Sequence, residues 1–376
     1  MSDILEKLSI LADDSKYDLA CACGTSSRER RRRGLDGKWL YPVPLASGGY
    51  GIMLKTLISN LCSSDCRYCP LRHDGNTPRR CALTPDEVAR AFLEYDRRHH
   101  LLGLFLSSAI TGNPDRTMQM LVDTAEILRY RYRYRGYIHL KIIPGASPAA
   151  IYRALQLSTA VSLNIETPGK NHFAKLSRYK DYLRDIIAPL KLMAEATAPG
   201  AEYAKVKCTT QFIVGASDET DAEIIRYLDG IYNRLRFQRA YFSAYQSGLG
   251  NPSIPGEQSF TLTADDRLTR EHRLYQADFL IRQYKFQPAE IPFAADGNLD
   301  LQQDPKEVWA ARNPQFFPVR INSAEREQLL RVPGFGPVTV KRILQHRQHH
   351  RIRYISDLHL AGKLARKANP FLDFSG

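Results

Sequence analysis

Three cysteines lie close together in Leu61-Cys62-Ser63-Ser64-Asp65-Cys66-Arg67-Tyr68-Cys69-Pro70, at C-x3-C-x2-C spacing. Three thiolates on one short loop can each hold one iron of a four-iron, four-sulfur cube and leave the fourth iron open to another ligand. A single zinc ion would instead ask for a fourth ligand, with His73 or Cys81 as candidates. The chain has seven cysteines, and Cys21, Cys23, Cys81 and Cys208 show no comparable grouping. Cys21 and Cys23 are one residue apart, too close to share one metal without help. The opening Met-Ser-Asp-Ile-Leu-Glu-Lys lacks a long apolar run, so no export signal is expected. A tight cysteine cluster in that setting points to metal in a reducing compartment, and to the cytoplasm, not to disulfides.

A second set of residues is marked by alternation. In Ala160-Val161-Ser162-Leu163-Asn164-Ile165-Glu166-Thr167-Pro168, a strand period of two puts Ser162, Asn164 and Glu166 on one face. Three polar residues on one strand face are costly in a dry core and reasonable in a lumen that holds a polar ligand. By the same rule His139 and Lys141 share a face, as do Tyr241, Ser243 and Tyr245. Barrel chemistry sits at the C-terminal ends of strands, which favours Lys141 and Tyr245 as substrate-side groups.

These residues need a frame. From about residue 51 to 290, strand-like runs (52–59, 102–106, 137–143, 160–165, 205–214 and 239–245) alternate with helix-like ones. Thr84-Pro85-Asp86-Glu87 has the form of a helix start, with Thr as N-cap, Pro next and Glu at the third position. Six βα units in sequence predict an α/β domain with a parallel sheet, barrel or doubly wound. Residues 1–50 are predicted to form an N-terminal wrapping segment without its own core, with a short helix near Ile4 to Ala12. Residues 291–320 form a Pro-rich connector, and residues 321–376 a small all-α module.

The cysteine loop, with an aromatic residue before its last cysteine and a first strand ahead of it, resembles the radical S-adenosylmethionine (SAM) superfamily. The resemblance implies a partial (β/α)6 barrel, a [4Fe–4S] cluster on Cys62, Cys66 and Cys69, and SAM on the open iron. It implies reductive cleavage of SAM and hydrogen-atom abstraction by a 5′-deoxyadenosyl radical. Tyr68 then stands near the adenine. Ser107 and Ser108 hold the place of a Gly-Gly-Glu-like stretch that binds the methionine amino group, without its Glu. Ser162, Asn164 and Glu166 fall where the ribose hydroxyls and the carboxylate are contacted. The run Gln211-Phe212-Ile213-Val214-Gly215-Ala216-Ser217-Asp218 resembles G-x-I-x-G-x-x-E, with Gln211 for the first Gly, Ile213 against adenine and Asp218 as the acid. Cys208 or Cys81 is a candidate thiol for returning a hydrogen atom. Lys141, Tyr245 and Cys208 are thus the expected catalytic residues. An electron donor such as flavodoxin or ferredoxin is implied.

The chain carries 53 Lys+Arg against 40 Asp+Glu, a net charge of +13, which favours polyanionic partners. Hydrophobic residues are 43% and charged residues 25%, ordinary for a soluble globular protein, and no apolar run is long enough to span a membrane. Residues 321–376 hold ten Lys+Arg and four Asp+Glu, a net +6. Within them, Glu327 to Leu344 resembles a helix-hairpin-helix motif. Asn322 or Ser323 is expected to cap its first helix, Pro333-Gly334-Phe335-Gly336 to turn, and Pro337 to open the second helix. Backbone N–H groups of such a turn hold a phosphate, giving sequence-independent DNA contact. Gly334, Phe335, Gly336, Thr339, Lys341 and Arg342 are the expected DNA-binding residues. The Arg28–Arg33 run is a second candidate phosphate contact. Together the two halves resemble a bacterial family of DNA modification or repair radical SAM proteins, which implies a uracil-DNA-glycosylase-like partner. The alternatives are a radical SAM enzyme acting on RNA, and a redox-sensing Fe–S DNA-binding protein without turnover.

Overall fold

A computed structural model describes residues 2–15, 40–44, 49–75, 79–259, 261–360 and 362–375. Cys21, Cys23 and the Arg28–Arg33 run lie outside the described residues. In chain order the elements begin with α1 (Ser2–Asp14), β1 (Leu40–Pro44), β2 (Tyr50–Leu57), α2 (Pro85–His99), β3 (Gly103–Ser107), α3 (Pro114–Glu126), β4 (Tyr137–Lys141) and α4 (Pro148–Leu157). Then come β5 (Ala160–Ser162), α5 (Lys170–Leu176), α6 (Ala188–Ala196), β6 (Lys207–Val214), α7 (Asp221–Asp229), β7 (Arg239–Ala244), α8 (Pro255–Gln258) and α9 (Ala264–Tyr284). The remainder is α10 (Pro305–Arg312), β8 (Val319–Arg320), α11 (Arg326–Arg331), α12 (Pro337–His346), α13 (Gly362–Ala368) and β9 (Leu372–Asp373). Among the described residues no helix is long and apolar enough to cross a membrane.

The chain divides into two compact units. The first runs to Glu219 and includes Asp229–Leu268; the second comprises Thr220–Leu228 and the chain from Thr269. In the first unit, β2 to β7 pair in sequence order, all parallel, with β1 antiparallel at the edge. A strand order that never reverses is that of a barrel, whereas a doubly wound sheet reverses at a switch point. Because β1 and β7 are both edges, the barrel is partial.

Local chemistry explains the elements. Thr84 caps α2: its hydroxyl accepts from the Glu87 N–H while the Glu87 carboxylate accepts from the Thr84 N–H, with Pro85 at the first position. Asn113 and Ser147 cap α3 and α4 in the simpler way. In β4, Ile138 and Leu140 are fully buried and alternate with His139 and Lys141. At residues 1–50, α1 is longer than expected and buries Leu8, Leu11 and Ala12, while β1 joins the sheet. A Pro at two of five positions hid β1 from the sequence reading, since Pro is tolerated only at sheet edges.

In the second unit, Leu329, Leu330, Val332, Phe335, Val340 and Ile343 form a core between α11 and α12 that also takes in Ile352 and Leu358. Asp221 and Arg270 pair inside this unit at 2.7 Å, the Asp221 side chain fully buried. Asp221 also accepts from the Leu299 N–H at 2.9 Å.

Candidate active site

The loop after β2 is fastened from several sides. The Arg80 guanidinium donates to the carbonyls of Leu71 (2.8 Å) and Arg72 (2.9 Å), and Arg72 donates to the carbonyls of Cys69 and Leu249, both at 3.1 Å. Asp65, an acid amid thiols, is buried and accepts from the Ser177 hydroxyl (2.5 Å) and the Arg178 N–H (2.7 Å). Burial raises its pKa, but those donors outweigh burial and hold it below the usual carboxylate range.

This fastening turns Cys62, Cys66 and Cys69 into one cavity at the C-terminal ends of the parallel strands. Burial, then the charge of the neighbouring cysteines, pushes the thiols of Cys62 and Cys69 up. Three thiolates in one cavity therefore need cationic compensation. One compensating charge is local: Lys180 Nζ donates to Cys66 Sγ at 2.8 Å. Burial alone would lower the Lys180 pKa, and the charge and hydrogen bond of Cys66 raise it instead. The Ser64 N–H lies 3.4 Å from Cys62 Sγ. Among the described residues no three His, Cys, Asp or Glu side chains converge on a single metal-ion position. His73 meets the Ser64 carbonyl and the Cys81 thiol faces the Lys7 carbonyl, so neither completes a zinc set. A cluster with one thiolate per iron fits the three cysteines better.

Opposite the cysteines, Glu166 reaches the cavity from a left-handed backbone conformation (φ 66°), rare for a residue with a side chain. Its main chain stays fixed, donating to the Gln211 carbonyl and accepting from the Ile213 N–H. Its carboxylate accepts from Asn164 Nδ2 at 3.4 Å and from the Tyr68 hydroxyl. Burial and then the Glu166 charge push the Tyr68 phenol well above its ordinary value. Ser107, Ser108 and Lys141 line the same cavity, as do Gln211 and Ile213. The Ser107 hydroxyl and the Gln211 amide have no side-chain partner among the described residues. Ser108 instead donates to the Ala109 carbonyl at 2.7 Å.

Residues 56–230 match the model of the Radical SAM superfamily. The chain carries a radical SAM domain. The superfamily uses a [4Fe–4S] cluster and S-adenosylmethionine. Similar solved structures include the FeFe-hydrogenase maturase HydG from Carboxydothermus hydrogenoformans (14% identity, TM-score 0.46, covering 61% of this chain and 51% of that one). Methylornithine synthase, PylB, is 12% identical with TM-score 0.46, covering 60% of this chain and 62% of that one. The cobalamin-dependent S-adenosylmethionine radical enzyme OxsB is 13% identical with TM-score 0.35, covering 81% and 47%. The chain spans about half the length of the maturase. No curated protein matches the chain.

Three expected residues of the radical SAM domain fall away from the cavity. Ser162 does not line it, because its hydroxyl is held by His139 Nε2 at 2.9 Å. Tyr245 is buried against Leu176, Ala216 and Ile254, and its hydroxyl donates to Glu257. Cys208 is buried beside the Thr197 hydroxyl, at 3.5 Å, so it is a packing residue and no hydrogen donor to the cavity. Conversely, Lys180, Asp65 and Asp14, which also lines the cavity, were missed. An acid between two cluster cysteines was the available signal for Asp65, since it requires donors.

In the second unit, α11 and α12 join through a turn with Gly334 at φ 86°. A Cβ on Gly334 would lie 3.0 Å from the Leu364 carbonyl oxygen. Gly336 is the N-cap of α12, Thr339 is half-buried, and Lys341 and Arg342 are exposed. The Phe335 side chain is buried in the core and is unavailable to a ligand. Its carbonyl accepts from Lys306 Nζ at 2.6 Å, and burial pulls the Lys306 pKa down to about 7. The cap of α11 is Glu325 with Gln328, because the Asn322 side chain instead bridges the N–H and carbonyl of Ile352.

Proposed function

We propose that this chain is a radical SAM enzyme that removes a hydrogen atom from a nucleic-acid substrate, in DNA modification or repair. The observation that carries the reading is the α11–α12 hairpin: a positive-φ glycine turn, a helix N-terminus, and exposed Lys341 and Arg342 one turn later. Residues 321–376 around it carry a net +6, from ten basic and four acidic residues. Such a hairpin holds a phosphate backbone without reading bases.

When bound, the cluster and SAM supply an electron and a 5′-deoxyadenosyl radical. Cys62, Cys66 and Cys69 would hold the cluster. Lys180 keeps a positive charge against Cys66. The Ser107 hydroxyl would accept from the methionine amino group, Asn164 and Glu166 would hold ribose hydroxyls, and Ile213 with Tyr68 would flank the adenine; all five line the cavity. Lys141 would face substrate. A base inside a duplex must be unstacked to reach such a cavity. A uracil-DNA-glycosylase-like protein is the proposed partner, and a flavodoxin or ferredoxin the proposed electron donor.

The test is anaerobic reconstitution, dithionite reduction and incubation with SAM and deuterium-labelled DNA. Deuterium in 5′-deoxyadenosine is expected. Label arriving only from RNA would move the substrate to RNA. An intact cluster that yields no 5′-deoxyadenosine with either nucleic acid would leave a redox-sensing DNA-binding protein.

A further inference from the structure

Beside the cluster cavity lies a second, more open one, and both are lined by Ser64, Ile110, Pro144 and Lys180. Its outer wall includes Tyr179 and Arg184. Tyr179 is 61% exposed and stacks on the exposed His73, ring centroids 5.6 Å apart and 25° from parallel. Other exposed tyrosines, such as Tyr50 and Tyr130, line neither cavity.

Both rings stand on fixed supports. The N–H groups of Arg178 and Tyr179 donate to Asp65, and the His73 N–H donates to the Ser64 carbonyl at 2.9 Å. The aromatic pair is therefore presented on a fastened scaffold. Arg178 is exposed, and its side chain has no partner among the described residues. The nearby acids are engaged: Asp65 by Ser177 and the loop, Asp185 by Arg184 and the Asp181 N–H, and Asp181 by the Arg184 N–H. What this rim offers a ligand is a flat ring face and, beside it, the unpartnered guanidinium of Arg178.

A base presents a π-face to an aromatic ring while its backbone presents phosphates to cations; single strands are held by this pairing of stacking and charge. We infer that the rim formed by His73 and residues 178–184 is a landing surface for an unpaired stretch of nucleic acid, with one base on Tyr179 and a neighbouring phosphate at Arg178. This rests on the nucleic-acid reading above and adds the form of the substrate at the barrel: single-stranded or locally opened.

The test measures anisotropy of a short labelled oligonucleotide, single-stranded or fully paired, with the full-length reconstituted protein. Tyr179→Ala is expected to weaken single-strand binding about tenfold or more, with Tyr179→Phe retaining most of it. Arg178→Ala is expected to lower the salt slope for the single strand by about 0.7. It does not depend on ring packing and reports even where Tyr179→Ala loses its cluster absorbance. Unchanged single-strand affinity in Tyr179→Ala and an unchanged salt slope in Arg178→Ala overturn the landing surface and leave the nucleic-acid reading standing. A wild-type protein that binds neither single strand nor duplex overturns both.

Discussion

Asp65→Asn offers a direct test of how the cluster loop is held. The Asp65 carboxylate accepts from the Ser177 hydroxyl at 2.5 Å, the Arg178 N–H at 2.7 Å and, more weakly, the Tyr179 N–H at 3.4 Å. A hydrogen bond to a charged acceptor contributes about 1.5–3 kcal/mol. Asn keeps the volume and one acceptor, but turns the other oxygen into an amide that faces a donor. One strong bond is lost and one donor is left buried, so local opening of residues 177–181 becomes easier by about 3 kcal/mol. With tenfold per roughly 1.4 kcal/mol, trypsin cleavage after Arg178 and Lys180 should accelerate about 100-fold where reclosing outpaces cleavage. Gel electrophoresis of the native, anaerobically reconstituted protein gives the rate, and mass spectrometry the cut sites. The displaced loop carries Lys180 off Cys66, so iron content should fall as well. Cleavage at the unsubstituted rate with full iron content would refute the anchoring role of Asp65.

Single Cys→Ala replacement at Cys62, Cys66 or Cys69 should abolish the visible cluster absorbance and 5′-deoxyadenosine formation, whereas Cys208→Ala should preserve both. Arg270→Ala leaves the buried Asp221 without its cation and should cost the second unit about 3–5 kcal/mol, read from urea unfolding. Donors from Lys175 and His172 outweigh burial and hold Asp218 down at about 2, and Glu257 is also lowered against burial, by Tyr245 and the N–H groups of Gly248 and Gly250. Depressed carboxylates stabilise above their unfolded pKa near 4 and lose that contribution as pH falls through the folded value. The urea midpoint should therefore drop between about pH 4 and about pH 2.

The barrel was legible because strand-like runs alternate with helix-like ones, the starts of α2, α3 and α4 being marked by a capping side chain followed by Pro. Ala160 and Arg239 begin β5 and β7 where the sequence reading begins them. The β5 ladder ends at Ser162, short of Ile165, and the chain bends through the positive φ of Glu166. Period 2 therefore placed Asn164 and Glu166 at the cavity but misplaced Ser162. Lys180 was illegible for another reason: it lies 114 residues from Cys66 in a loop rich in basic side chains. Nothing in its neighbours distinguishes it until the fold closes that distance. That the Phe335 side chain packs into the core was illegible, because a turn motif marks backbone geometry and says little about which way a side chain points.

The Pro-interrupted edge strand has a consequence for the solution behaviour of the protein. A β-ladder with an unpaired side is a template for a neighbouring molecule's strand. Pro42 and Pro44 lack N–H groups, so β1 presents an incomplete row of donors to any incoming chain. Beneath it, β2 is buried from Met53 to Leu57 and carries the apolar Ile52, Met53 and Leu54. Trimming the chain ahead of Tyr50 would bare that row and should promote self-association through the sheet edge, read as a concentration-dependent rise in apparent mass.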